Sequence, residues 1–72
     1  MTKNDLIKKI DTIGKDNISL IVTVVELPSG AKEVIVNSQE LTDKINYLLE
    51  AYDENLVLKT FDKIRMLDFI IL

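Results

Sequence analysis

The sequence predicts a single small α+β domain running helix, strand, strand, helix, strand, with a three-stranded, mainly antiparallel sheet and its helices packed on one face. Three observations carry this prediction. Two stretches place apolar residues at helical spacing, three others are dense in Ile, Val and Leu, and 72 residues leave room for one core only.

The first helix is written in Leu6, Ile7, Ile10 and Ile13, which fall at i, i+1, i+4 and i+7, with Lys3, Asp5, Lys8, Lys9 and Asp11 on the other side. Thr2 or Asn4 supplies its N-cap, and Gly14 suits the left-handed residue just past its end. Ile18 to Leu27 reads as a strand, bounded by Gly14-Lys15-Asp16-Asn17 and by Pro28-Ser29-Gly30. One face of this strand carries Ile18, Leu20, Val22 and Val24; the other carries Ser19, Ile21, Thr23 and Val25. Apolar residues on both faces predict a central strand covered at least partly on both sides. Pro28 presets φ, Ser29 tolerates the second turn position and Gly30 accepts positive φ, so Leu27 to Ala31 closes a tight hairpin. Strand 2 follows at Lys32 to Val36, with Val34 and Val36 on one face and Glu33 and Ile35 on the other.

The second helix is traced by Leu41, Ile45, Leu48, Leu49 and Tyr52 over about four turns. Asn37 or Ser38 is its expected cap, Asn37 with Glu40 approximating a capping box, and Glu40 and Lys44 form a supporting i, i+4 pair. Residues 53 to 62 read as an extended connector that packs Leu56, Val57 and Leu58 onto the core. Ile64 to Leu72 is the last strand, with Ile64, Met66, Ile70 and Leu72 on one face and Leu67, Phe69 and Ile71 on the other. Asp68 is the single charge in this run, a solvent-facing residue that blunts a sheet edge or a partner for Arg65 or Lys63.

So short a chain buries only about 60% of the surface its unfolded form exposes, and its 47% hydrophobic residues are concentrated in the strands. The surplus apolar strand surface predicts a homo-oligomer, a dimer first. With a net charge of −3 and scattered cations, no attraction to nucleic acid is expected. The N-terminus has no apolar signal-peptide segment and no run reaches the ~18 apolar residues of a membrane span, so neither secretion nor a membrane partner is expected and the cytoplasm is the predicted compartment.

The absence of Cys and His removes thiolate nucleophiles, imidazole bases and ordinary zinc sites. Gly14 and Gly30, the only glycines, cannot build a dinucleotide fingerprint or a Walker loop. No catalytic residue and no cofactor is predicted. Carboxylates remain: Asp43, Glu50 and Asp53 suggest a Mg²⁺ site, and Asp43, Glu50, Asp53 and Glu54 an acidic face imitating nucleic-acid phosphates, but a solvated helix face accounts for them more simply. Lys8, Lys9 and Lys15, interspersed with acids, read likewise as an ordinary polar surface.

The stretch Ala51-Tyr52-Asp53-Glu54-Asn55-Leu56-Val57-Leu58-Lys59-Thr60, followed by Ile64-Arg65-Met66-Leu67-Asp68-Phe69, resembles small uncharacterised proteins encoded by phages of low-GC Gram-positive bacteria. The resemblance spans Ser19 to Leu72; Phe61-Asp62 stands where an Asn-Pro pair often follows the connector. It implies a hairpin, helix, connector and terminal strand, and a phage context that favours an accessory protein acting on a host protein. The expected function is a non-enzymatic protein-binding module, with a structural subunit of a larger assembly or an acidic DNA-mimic inhibitor as alternatives. The expected interface residues are Ile21, Thr23 and Val25 on the second face of strand 1, Tyr47, Glu50 and Glu54 on helix 2, and Leu67, Phe69 and Ile71 on the last strand.

Overall fold

The computed structural model describes residues 1–72 and has the predicted architecture. Helix α1 spans Lys3–Ile13, strand β1 Ile21–Glu26, β2 Lys32–Asn37, helix α2 Leu41–Ala51 and β3 Arg65–Ile71, with a short 3-10 turn at Lys15–Asn17. The sheet order is β2-β1-β3 and both pairings are antiparallel. β1 is the central strand, as expected, but only the face carrying Ile21, Thr23 and Val25 is covered, not both; β3 is an edge.

Helix α1 starts on a local carboxylate. The Thr2 N–H donates to Asp5 Oδ2 at 2.8 Å, and the Thr2 hydroxyl donates to the same oxygen at 3.3 Å. The backbone bond from Thr2, with smaller help from the N-terminal ammonium and Lys8, holds the Asp5 carboxyl below its ordinary value of 3.8. A depressed folded-state value contributes stability that is present above 3.8 and lost as pH falls through the folded pKa. Asp5→Asn should therefore lower the melting temperature at pH 7, and the gap between the two proteins should close as the melts are moved to more acid pH. At the other end Gly14, at φ 90°, donates its N–H to Ile10 at 2.7 Å and turns the chain out of the helix.

The Pro28-Ser29 turn forms as predicted. Gly30 N–H donates to the Leu27 carbonyl at 2.9 Å, Leu27 N–H to the Ala31 carbonyl at 2.8 Å, and Gly30 takes φ 87°. Helix α2 departs from the sequence reading at both ends. Asn37 is still paired with Ile21 in the sheet, so it cannot cap the helix; Glu40 stands at the N-cap in the left-handed region, φ 53°, without a side-chain bond. Placed there, Glu40 makes no ion pair with Lys44, whose ammonium lies instead over the Tyr47 ring, 5.1 Å from its centre. The helix stops at Ala51, about three turns long, with Tyr52 extended.

Leu6 and Ile10 from α1 and Ile45 and Leu48 from α2 meet Ile18, Ile21, Met66 and Ile71 in one buried cluster, closed by Tyr52 and Leu56. Residues 53 to 62 form a connector, but a turn-rich one rather than the extended segment expected: only Val57 and Leu58 make isolated bridges, and of its apolar residues Leu56 is fully buried and Leu58 packs against the core, whereas Val57 is only half-buried. Asp53 shapes that loop: its Oδ1 accepts N–H bonds from Asn55 at 2.8 Å and Val57 at 3.0 Å. Val57 bridges to Arg65, and Met66 N–H donates to the Leu56 carbonyl at 2.8 Å, so the connector covers the first part of the β3 edge.

Candidate protein-binding surface

The sheet has one covered face and one open face. Across the register, Val36, Val22 and Ile70 form one row and Val34, Val24 and Asp68 the next. Beyond them lie Lys32, Glu26 and Arg65, and at the other end Leu20 pairs with Leu72 through both backbone bonds. These residues point away from the helices. Val34 is 62% exposed, Val36 61%, Leu72 58% and Ile70 54%, while Leu20, Val22 and Val24 are half-buried between them. β-branched residues are here because they suit a pleated strand, but nothing in the chain covers them.

The expected interface face is thus inverted. Ile21, Thr23, Val25 and Ile71 are buried under the helices and cannot meet a partner without unfolding the core. Both faces of β1 are apolar, so alternation alone does not say which one the helices take. The last strand also changes phase. Val24 pairs with Asp68 but Val25 pairs with Met66, leaving Leu67 as the extra residue of a β-bulge. Met66, Phe69 and Ile71 therefore share the inner side, with Phe69 half-buried against the core, while Ile70 and Leu72 point out. Leu67, expected beside Phe69 and Ile71, is half-buried at the bulge. Arg65 does not reach Asp68. Its Nε donates to Glu26 Oε1 at 3.2 Å, and Asp68 Oδ1 instead accepts the Phe69 N–H at 2.8 Å.

Tyr47 and Glu50 are exposed on α2, as expected. Glu54 is exposed too, but it lies beyond the helix end and so does not extend a helical row with Glu50. Burial lowers the pKa of Lys44, the cation against Tyr47. Tyr52 is core, and burial followed by the nearby Tyr47 phenol pushes its hydroxyl up. No group of three or more carboxylates forms that could hold a metal ion, so Asp43, Glu50 and Asp53 do not converge. An open polar depression is lined by Lys3, Asp53, Glu54, Asn55 and Lys59. Its groups hold the fold: Lys3 Nζ donates to the Tyr52 carbonyl at 2.9 Å and Asp53 shapes the loop.

The sequence places Val34, Val36, Ile70 and Leu72 each on a strand face without joining them. The missing signal was register, which joins those residues into one patch. No helix is long and apolar enough to cross a membrane. Compared with protein-family models, curated proteins and solved structures, the chain matches none.

Proposed function

We propose that this chain is a non-enzymatic protein-binding module, a phage-encoded accessory protein that binds and modulates a host protein in a bacterial cytoplasm. The observation that carries this reading is the open sheet face, where Val34, Val36, Ile70 and Leu72 are each more than half exposed. Exposed apolar side chains gathered on one face, unlike ones scattered singly, support a reading of that face as a contact surface. The lack of Cys and His supports a role in binding, because the side chains that most often carry covalent and acid-base catalysis are missing. The phage-like segment from Ala51 to Phe69 supports the biological setting.

Affinity capture from an extract of a low-GC Gram-positive bacterium tests the reading. Wild-type protein should retain a defined host protein, and Ile70→Lys, which alters only the open face, should lose it while keeping its circular dichroism spectrum. Failure of the wild type to retain any protein, or equal retention by Ile70→Lys and Tyr47→Ala, would remove the reading.

A further inference from the structure

We infer that the outer edge of β2 pairs with the β2 of a second copy of this chain, antiparallel about a two-fold axis normal to the sheet, so that two three-stranded sheets become one of six strands. The contact is a strand edge and leaves the open face free, so it stands apart from the host-protein reading.

Hydrogen-bond alternation defines the edge. In an antiparallel ladder, opposed residues exchange both backbone bonds at every second pair only. At the hairpin the Leu27 N–H donates to the Ala31 carbonyl, and at the other end of β1 Leu20 and Leu72 bond each other on the β3 side. The register between β1 and β2 runs unbroken from Ile21 with Asn37 to Glu26 with Lys32, and both ends give it the same phase. Ile21, Thr23 and Val25 exchange bonds with Asn37, Ile35 and Glu33, and the N–H and carbonyl groups of Lys32, Val34 and Val36 point out of the sheet. β2 is the end strand on that side, whereas the connector closes the first part of the β3 edge through Leu56 and Val57. No proline and no bulge, two devices that keep an edge from pairing, interrupts Lys32–Asn37.

Those outward groups need another strand, and the sequence of β2 fits itself. With the two-fold at Ile35, that residue meets its own copy in a non-hydrogen-bonded pair, where side chains approach most closely. Val34 and the partner's Val36 exchange both backbone bonds, and the same pair forms again by symmetry. Glu33 comes opposite the partner's Asn37, a carboxylate facing an amide donor. Neighbouring registers match less well. Centred on Glu33, two carboxylates oppose each other; centred on Val34, Lys32 faces the partner's Val36 and Glu33 the partner's Ile35. Backbone bonds rather than buried area carry such a contact, so association is weak, with dissociation on the order of 100 µM. Pairing also sets Val34 and Val36 of both copies side by side and widens the open face across the seam.

Two-dimensional amide spectra and sedimentation equilibrium between about 10 µM and about 1 mM test the pairing. The N–H signals of Val34 and Val36 should move with concentration as a dimer forms, and those of Glu33 and Ile35, already bonded to β1, should move less. Val34→Pro removes an outward N–H that the fold does not use, at an edge position that accepts proline. It should keep the folded spectrum and weaken association about tenfold or more. The chain has no cysteine, so a single introduced one reports the register. Ile35→Cys meets its own copy and should form a disulfide-linked dimer under mild oxidant about tenfold faster than Glu33→Cys or Val34→Cys. Amide signals that stay fixed up to about 1 mM or move only with added host extract, a Val34→Pro variant that associates like wild type, or a faster cross-link at Glu33→Cys or Val34→Cys would each overturn the proposal. Ile70→Lys, on the far side of β1, should lose the host protein yet leave self-association unchanged, so the two readings fail separately.

Discussion

Leu56→Ala should cost about 2–5 kcal/mol, about half the stability of a domain this size, although Leu56 lies in neither a helix nor a strand. A chain of this length has about 4–11 kcal/mol to lose, at the usual range per residue. Leu56 is fully buried and belongs to the same cluster as Leu6, Ile45 and Ile71, so truncation leaves a cavity bounded by both helices and the sheet. The residue sits at φ 61°, and its N–H and carbonyl are both used, donating to Asp53 at 3.0 Å and accepting from Met66 at 2.8 Å. Those bonds keep the backbone in place after truncation and prevent the loop from closing the gap. The left-handed backbone adds a second, sharper expectation. At most sites Gly is less stable than Ala by roughly 0.5–1 kcal/mol, but here Gly escapes the Cβ clash that Ala must bear. Leu56→Gly should therefore be at least as stable as Leu56→Ala. Urea titration followed by far-UV circular dichroism measures both, with a fall in the midpoint at unchanged slope marking a true loss of stability. A loss below about 1 kcal/mol would mean that the connector is a peripheral strap and the core closes without it.

Leu56 also shows where sequence reasoning reaches its limit. The faces of α1 and α2 were legible because a 3.6-residue period is set by the helix itself, and Leu6, Ile10, Ile45 and Leu48 are buried in the structure as that period requires. Pro28-Ser29-Gly30 was legible for a similar reason: the turn's dihedral preferences are local to three residues. What was not legible depended on a neighbour distant in sequence. Asn37 looks like a helix cap until β1 extends far enough to pair with it through Ile21. The bulge at Leu67 exists because β3 must keep Met66, Phe69 and Ile71 under the helices, and a single insertion leaves no mark in a run that is apolar throughout. Leu56 takes a left-handed conformation that no local preference favours, because the cluster needs its side chain. The open face belongs to this group: Val34, Val36, Ile70 and Leu72 become one surface only when β1 aligns them.

Ile70→Lys and Ile71→Lys, the same substitution at adjacent positions, should have opposite outcomes. Ile71 is 1% exposed and packs with Ile21 beneath the helices, so a lysine there must either bury its ammonium or drag the end of β3 out of the sheet. Burying an unpaired charge costs several kcal/mol even after the group sheds its proton, comparable to everything holding so small a domain together. Ile71→Lys should lose cooperative unfolding and the dispersed amide spectrum of a folded chain. Ile70, at 54% exposure, lies on the open face, where a lysine extends its ammonium into water and rests its methylenes on Val22. Ile70→Lys should keep the spectrum of the folded chain, with a stability change within about 0.5 kcal/mol. The contrast probes the bulge itself. Without the extra residue at Leu67, the alternation set by Met66 would put Ile70 under the helices and Ile71 in water, and the two outcomes would exchange. A two-dimensional amide spectrum of each variant therefore tests the phase of the last strand, and with it which side of this sheet is available to a partner.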